Sequence, residues 1–317
     1  MRKKLFSFTM VLALLFTFFV TAVAWAAEFE IVSYTAYVSL HWLKEAGVPE
    51  AKTFAKAIGP KALLSKDNVP NYEVLAPVNH FSHEIRYAAI NKYVEEHNYK
   101  NVLDIACGFS PRGIAMAHQG KHFVGAEFEA VAVAADRAVK KCLTADEQKL
   151  VEYAVVDATD KASMMAAADT MQGPICITMD GLMMYLTADE QAKVLQNVRA
   201  VLKKHGGCFV TSDFSLRDIV TETAAAVYGP QNSKTEKIYR ESAQVYESTA
   251  ESDYAKSFFA TSEEAEKFVV TQGLKMERVP FFSEPIKLRS TQKFNREQRE
   301  RADALQKKDF LWVITAK

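Results

Sequence analysis

A glycine-containing turn is the first feature of the sequence that indicates a ligand. It reads DIACGFSPRG from Asp104 to Gly113 and follows a short apolar run. Gly108 allows the backbone to come close to a ligand, and the helix expected after the turn presents unpaired N–H groups to an anion. Turns of this kind are typical of dinucleotide sites, hydrolase nucleophile elbows and other nucleoside sites.

The first two kinds of site fit the turn imperfectly. A dinucleotide site has the pattern G-x-G-x-x-G, whose middle glycine admits the pyrophosphate. Here Ser110 occupies that middle position, and Pro111 removes one N–H donor. A hydrolase nucleophile elbow has the pattern G-x-S-x-G. This turn is G-x-S-x-x-G, one residue too long.

Acidic residues stand at the ends of the strand-like runs around this turn. Glu127, about twenty residues after the glycine, is placed to accept both hydroxyls of a ribose, although the same spacing serves NAD. Asp157 is placed to receive an adenine amine, and Asp104 to face an ammonium group. Each alone is as consistent with a helix cap or a solvated loop residue. Together they favour a nucleoside ligand with an amino-acid moiety, as in S-adenosylmethionine (SAM).

The histidines do not form a recognisable metal site. His80 and His83 lie at helical spacing with Glu84, and His118 and His122 are four residues apart. A metal site needs a third converging ligand, and the sequence offers none, so we expect no metal and interpret these histidines as solvated or capping residues. The methionine pairs at 164–165 and 183–184 are interpreted as core residues.

The spacing of apolar residues predicts how these groups are positioned. Short apolar runs alternate with amphipathic helices from residue 101 onwards, which is typical of a mostly parallel α/β sheet covered on both faces. Seven strands are expected, at Asn101–Ala106, His122–Glu127, Glu152–Val156, Ile175–Met179, Cys208–Ser212, Lys275–Phe281 and Leu311–Ala316.

The helices are predicted from their caps. Residues 27–100 are expected to form an N-terminal helical cap, with Asn79 as one N-cap. Ser110 and Pro111 are expected to begin the helix after the glycine turn. Capping boxes at Thr187 and Thr261 open two later helices. Residues 216–260, too long for a simple connection, are expected to form a helical insertion over the ligand edge of the core, which spans residues 101–317.

Composition excludes some classes of partner. The 317 residues carry 39 basic and 39 acidic side chains, so there is no electrostatic footprint for nucleic acid. The cysteines show no zinc-ligand or disulfide-framework spacing, and we interpret them as small buried hydrophobic residues. They are Cys107, Cys142, Cys176 and Cys208.

The first 26 residues have the pattern of an export signal or membrane anchor. Arg2, Lys3 and Lys4 precede an uncharged apolar stretch that ends in the small-x-small sequence Ala24–Ala26. Uncleaved, the stretch is long enough to cross a bilayer. We therefore expect an exported or membrane-anchored protein that touches the membrane only through this segment.

Two motifs resemble one known family. ICITMDGLMMYLT, residues 175–187, resembles the EGLLMYL signature of leucine carboxyl methyltransferase-like proteins, which include polyketide O-methyltransferases. CGFSPRG, residues 107–113, resembles their GFSPRG loop, and GGCFVTSD, residues 206–213, is similar to their fifth strand. Asp180 stands where the family usually has glutamate, and Glu127 where many members have aspartate. Both differences keep the charge and move it by one methylene.

The resemblance implies a Rossmann-like class I methyltransferase with a seven-stranded, mostly parallel sheet, a reversed last strand and an N-terminal helical cap. Arg86 would pair with the SAM carboxylate, and Asp180 and Tyr185 would face the transferred methyl group or the acceptor. The cofactor-binding set expected from residues and resemblance together is Arg86, Asp104, Gly108, Ser110, Glu127, Asp157 and Asp180.

The expected activity is SAM-dependent O-methylation of a carboxylate or a hydroxyl on a small molecule. A carboxylate acceptor needs no base, whereas a hydroxyl needs one. Two alternatives stay open at this point: an NAD(P)-dependent oxidoreductase on a similar fold, and an exported binding protein without catalysis.

Overall fold

The computed structural model describes residues 36–59, 71–235, 237–238, 259 and 261–317. The predicted leader lies outside these ranges, and so do residues 236, 239–258 and 260, about half of the predicted insertion. Seven strands form one sheet, and their bounds differ from the predicted ones by at most one residue at either end. They are β1 Asn101–Ile105, β2 His122–Glu127, β3 Val151–Val155, β4 Ile175–Met179, β5 Gly207–Thr211, β6 Leu274–Pro280 and β7 Phe310–Ala316.

Helices precede and connect the strands, and a further short helical segment is described at residues 233–235 and 237–238. α1 is described over residues 36–46. The others are α2 Pro49–Ile58, α3 Tyr72–Glu96, α4 Arg112–His118, α5 Glu129–Val139, α6 Lys161–Asp169, α7 Ala188–His205, α8 Leu216–Tyr228, α9 Ser262–Thr271 and α10 Arg296–Lys308. None of the helices in the described ranges has both the length and the apolar composition needed to cross a bilayer.

The strand order is β3-β2-β1-β4-β5-β7-β6. Strands β1 to β5 run parallel, and β7 lies antiparallel between β5 and β6. The α/β class, the Rossmann-like order and the reversed last strand are therefore confirmed. β1 lies inside the sheet, and all five of its residues are buried.

Alternate residues of the strands feed two apolar cores, one on each face of the sheet. One core includes Val102, Phe123 and Val210 and packs under α3 and α8. The other includes Leu103 and Ile177 and packs under α6 and α7. Because both faces are covered, ligands have access at the ends of the strands.

The register aligns the carboxyl ends of the central strands. Ile105 of β1 lies opposite Ala126 of β2 and Met179 of β4, and Met179 lies opposite Thr211 of β5. The residues that follow these positions therefore meet at one edge, which we call the carboxyl edge.

Two predicted helix starts are wrong. Asn79 does not cap a helix: it lies inside α3, which begins seven residues earlier at Tyr72, and its side chain donates to the carbonyl of Leu75. Pro77 lies inside the helix. A proline there removes one N–H donor, and its ring crowds the carbonyl four residues earlier. Burial of Leu75 and Val78 on either side of the proline offsets that loss.

The helix after the glycine turn begins at Arg112 rather than at Pro111, which occupies the N-cap position. Ser110 accepts only a long hydrogen bond, 3.4 Å from the Arg112 N–H to its Oγ. The predicted cap at Thr187 is confirmed as a reciprocal capping box with Glu190. Thr261 also accepts from the N–H of Glu264 at the start of α9.

Candidate functional site

The glycine turn is a left-handed bend at the end of β1. Ala106 and Gly108 have φ values of 48° and 52°, and the N–H of Ser110 donates to the carbonyl of Cys107 at 2.9 Å. Alanine in this conformation is strained, whereas glycine adopts it freely. The bend brings the backbone around Gly108 to the carboxyl edge.

Glu127, at the end of β2, holds this turn in place. One carboxylate oxygen accepts from the N–H of Gly108 at 3.0 Å, and the other accepts from the N–H of Phe128 at 2.7 Å. The side chain is only 7% exposed, and burial raises its pKa. Phe128 beside it is 42% exposed, so a charged acceptor and a bare aromatic ring lie next to each other at this edge.

Asp104 is committed to a buried ion pair. Both of its oxygens lie 2.9 Å from Nη1 of Arg112, and the hydroxyl of Thr178 on β4 donates to Oδ1 at 2.6 Å. Burial raises the pKa of Asp104, although the Arg112 charge acts in the opposite direction. The carboxylate predicted to face a ligand ammonium therefore binds groups of the chain itself. Its contact with a ligand stays a prediction.

Arg112 was not identified from the sequence. It is 2% exposed, its Nε donates to Asn91 at 2.8 Å, and its guanidinium lies 5.5 Å from the ring centre of Tyr87. The GFSPRG resemblance contains this arginine, but nothing in the local pattern distinguishes a buried arginine from a solvated one. The pair with Asp104 ties the start of α4 to the central strand.

Arg86 and Asp180 meet at the carboxyl edge from opposite sides. Nη1 of Arg86 on α3 lies 2.5 Å from Oδ1 of Asp180, which directly follows β4. Nε of Arg86 donates to the carbonyl of Ser82, and the hydroxyl of Ser212 donates to Asp180 at 3.1 Å. The side chain of Arg86 is 5% exposed and that of Asp180 is 15% exposed. We call Arg86, Asp180 and Ser212 the edge triad.

A second buried aspartate shapes the loop after β4. Asp213 accepts from the backbone N–H groups of Gly181, Leu182 and Met183 at 2.6–2.9 Å. Burial raises its pKa, since desolvation of the charged form outweighs these bonds. Sequence analysis did not single out Asp213, because its partners lie about thirty residues away along the chain. The loop it fixes carries Tyr185.

The remaining predicted residues lie at the same edge or beside it. Tyr185 is half-buried and packs on Met184 and Leu216 with Val220 of α8. Asp157 is exposed after β3, and its Oδ1 accepts from both the N–H and the hydroxyl of Thr159 at 2.8 Å. Asp157 is thus an exposed loop residue and does not cap α6, whose N-cap is Asp160. Its other oxygen has no hydrogen bond to any described residue.

His83 differs from the sequence expectation of a solvated or capping residue. It is 8% exposed, and its Nδ1 lies 2.9 Å from the carbonyl of Asn79. A carbonyl only accepts, so Nδ1 carries the proton and Nε2 carries a lone pair. Burial, and secondly the charge of Arg86, lower the pKa of His83 to about 3. His83 is therefore a neutral base close to the edge triad.

His80 is half-buried, and its ring lies 5.5 Å from that of Trp42. The described residues contain no cluster of three or more histidine, cysteine or acidic side chains that would hold a metal ion.

The N-terminal helix α1 reaches the glycine turn. The N–H of Phe109 donates to the carbonyl of Ala36 at 3.4 Å, and the rings of Tyr37 and Phe109 lie 4.4 Å apart. A Cβ at position 108 would lie 3.2 Å from Cα of Ala36. A side chain there would therefore press on α1 as well as on any ligand.

Comparisons with known proteins identify the family. A family model described as a methyltransferase domain matches residues 96–272, more than half of the chain. No curated protein sequence matches the chain. One similar solved structure, an O-methyltransferase candidate of Nostoc punctiforme, is 12% identical over 88% of this chain and 72% of its own, with a TM-score of 0.43. Magnesium protoporphyrin IX methyltransferase of Synechocystis, solved with S-adenosylhomocysteine (SAH), is 8% identical over 86% of this chain and 95% of its own, with a TM-score of 0.45. The chain belongs to the methyltransferase-domain family, and its cofactor is S-adenosylmethionine.

Proposed function

We propose that the protein transfers the methyl group of SAM to an oxygen atom of a small molecule, as a leucine carboxyl methyltransferase-like enzyme. The observation that carries the proposal is the edge triad, which places a buried arginine and two oxygen-bearing side chains next to the glycine turn. Its arginine comes from α3, outside the sheet, as the resemblance implies for that class.

The residues at the carboxyl edge fit the cofactor. Glu127 would accept hydrogen bonds from the ribose hydroxyls, and the exposed ring of Phe128 offers a face to the adenine. Asp157 has a free oxygen for the adenine amine, and the backbone at Gly108 and Ser110 would lie against the nucleoside. Arg86 would pair with the SAM carboxylate. SAM supplies a methyl group on a sulfonium, which needs no further activation.

The chain's own residues then have to position the acceptor and exclude water. Asp180 and Tyr185 border the space beyond β4, next to the apolar contacts of Met184 and Val220. A carboxylate acceptor is ionised at neutral pH and needs only positioning. A hydroxyl acceptor needs a proton acceptor. Nε2 of His83 carries a lone pair close to the edge triad, but the pKa of about 3 makes His83 a weak base, so a hydroxyl acceptor would have to be acidic, such as a phenol.

The place of action is part of the proposal. The basic N-terminus and the apolar stretch after it support export or membrane anchoring, with the folded domain outside the cytosol. The substrate would then be a small molecule rather than nucleic acid, since the chain carries no net charge. Residues 216–260 would set the choice of acceptor. Within them, α8 packs on α3 and α10, and Ile238 beyond α8 is buried in the same core.

Calorimetry and turnover test the proposal in two steps. SAM and SAH should bind the purified chain, and NADH should not. Tight NADH binding without any SAM response would favour the oxidoreductase alternative. Release of SAH in the presence of matched probes, an aromatic carboxylic acid and the corresponding phenol, then distinguishes an enzyme from an exported binding protein. His83→Gln should slow transfer to the phenol and spare transfer to the acid.

A further inference from the structure

Two buried cysteines face each other in the middle of the sheet. Cys176 on β4 and Cys208 on β5 are direct partners in the parallel register, and their Sγ atoms lie 3.9 Å apart. They are 0% and 2% exposed. Direct register partners project to the same face of a sheet, so the two thiols are held in contact within one apolar core.

We propose that Cys176 and Cys208 are a modification site, at which an intramolecular disulfide forms when the chain folds under oxidising conditions. Neighbouring strands lie about 4.8 Å apart, within the Cα separation of roughly 4.4–6.8 Å that a disulfide spans. Bond formation shortens the sulfur–sulfur distance from 3.9 Å to about 2.05 Å. Rotation of the two side chains with a small tilt of the strands supplies this movement.

The surroundings make one of the two thiols the nucleophile. The hydroxyl of Tyr93 lies 4.0 Å from Sγ of Cys208. The S–H of Cys176, followed by the hydroxyls of Tyr99 and Tyr93, lowers the pKa of Cys208, while burial raises the pKa of Cys176. Because the thiolate is the reactive form, Cys208 reacts first in a locally opened state that keeps these contacts.

The oxidant is a disulfide compound, either a small-molecule disulfide or a dithiol–disulfide oxidoreductase. The Cys208 thiolate attacks one sulfur of the oxidant and releases the other as a thiolate, which leaves a mixed disulfide. Cys176 loses its proton and attacks Sγ of Cys208, which releases the second thiol of the oxidant. Two electrons pass from the cysteine pair to the oxidant, and the two cysteine protons pass to the released thiols or to solvent.

Burial determines when this reaction occurs. An oxidant does not reach two side chains covered by α3 in the folded protein, so the bond forms during folding or in a locally opened state. Cys107 and Cys142 lie on other elements and have no cysteine as a register partner, so they remain thiols. The expected product has two free thiols and one specific bond.

The bond would constrain the part of the carboxyl edge that follows β4 and β5. Asp180 lies four residues after Cys176, and Ser212 lies four residues after Cys208. A covalent link between β4 and β5 fixes the positions of Asp180 and Ser212 relative to each other. This inference does not depend on the identity of the acceptor.

Thiol counting on the full chain tests the proposal. The protein is refolded with oxidised dithiothreitol, or with reduced dithiothreitol, then alkylated with a maleimide in denaturant and weighed intact. We expect two alkylated thiols after oxidative folding and four after reductive folding. Peptide mapping should link the segments that contain Cys176 and Cys208. The oxidised form should melt roughly 5 °C or more above the reduced form, since a disulfide constrains the unfolded chain.

Two variants sharpen the test. Cys208→Ser should leave three alkylated thiols and remove the difference in melting temperature, whereas the control Cys142→Ser should keep both the bond and the difference. Four alkylated thiols after oxidative folding, or a mapped bond that includes Cys107 or Cys142, would overturn the proposal. Mapping of the unaltered chain decides the question even if Cys208→Ser fails to fold.

Discussion

The carboxyl edge of the sheet has two halves that are built differently. The half at the ends of β1 to β3 uses a side chain bonded to nearby backbone, because Glu127 binds the N–H of Gly108 only 19 residues earlier. The half at the ends of β4 and β5 uses side chains bonded to groups far away along the chain, including the backbone N–H groups that Asp213 binds about thirty residues earlier. Asp180 binds Arg86, 94 positions earlier, and Ser212, 32 positions later. We call them the cofactor half and the acceptor half.

This difference separates what is general from what is specific. Backbone N–H groups exist at every residue except proline, so the cofactor half needs only a glycine and an acidic residue at the right spacing. The acceptor half needs particular side chains from α3, β4 and β5 in register. We therefore expect changes of residue in this half, other than at Arg86, to alter the choice of substrate.

The largest effect is expected where the two halves join. Arg112→Ala removes the partner of Asp104, which bonds across from β1 to Thr178 of β4. An uncompensated buried carboxylate typically costs about 3–5 kcal/mol of stability. We expect a loss of that size in urea denaturation, with both halves affected together.

The matched control is Arg296→Ala, which breaks an exposed pair with Glu300 and should not change stability measurably. A loss below about 1 kcal/mol in Arg112→Ala would show that the halves do not depend on this pair.

The dependence of the free energy of unfolding on acid pH tests His83, which lies close to the edge triad in the acceptor half. The folded-state pKa of His83 is about 3, well below its ordinary value of 6.5, so its neutral form is stabilised by folding. Unfolding takes up a proton at His83 between these two values. The contribution of His83 to the free energy of unfolding is therefore fully present above pH 6.5. It is lost as the pH falls towards 3, by up to about 1.4 kcal/mol per pH unit.

His83→Gln should reduce the pH slope of the unfolding free energy over that whole range. His41, whose pKa burial lowers to about 4, provides the comparison, because His41→Gln should act over a narrower range. An unchanged slope in His83→Gln would mean that His83 is hydrated or charged in the folded protein.

The same contrast explains what the sequence predicts. All seven strands, the capping box at Thr187 and the N-cap at Thr261 depend on residues within a few positions of one another, and the sequence predicts them correctly. Asn79 was misplaced because packing of Leu75 and Val78 outweighs the effect of Pro77 on α3. Arg112 and Asp213 were missed because burial is a tertiary property, and their partners are identified only once the strands are aligned.

The cofactor half should respond to loss of Glu127 in SAM affinity. Glu127→Ala removes the acceptor for two backbone N–H groups and for the ribose, and we expect a loss of about 1–3 kcal/mol in binding by calorimetry. Glu127→Gln keeps one oxygen for Gly108, and its affinity for SAM should lie between those of the unaltered protein and Glu127→Ala. Melting curves establish whether the turn is still folded. An unchanged dissociation constant for a folded Glu127→Ala protein would remove Glu127 from the site.

The smallest effect is expected at Asp157, at the outer end of the cofactor half. Its Oδ1 is occupied by Thr159, so only the other oxygen is available to an adenine amine. Asp157→Asn keeps an oxygen for Thr159 and replaces the available one with a donor. Loss of one exposed hydrogen bond should weaken SAM binding roughly two- to tenfold.

An analogue separates this contact from a general disturbance of the loop. S-inosylhomocysteine carries an oxygen in place of the exocyclic amine of SAH. The unaltered protein should prefer SAH to the analogue, and Asp157→Asn should lose that preference because its amide now donates to the oxygen. If both proteins show the same preference, Asp157 caps its own loop and the adenine is recognised by shape against Phe128 alone.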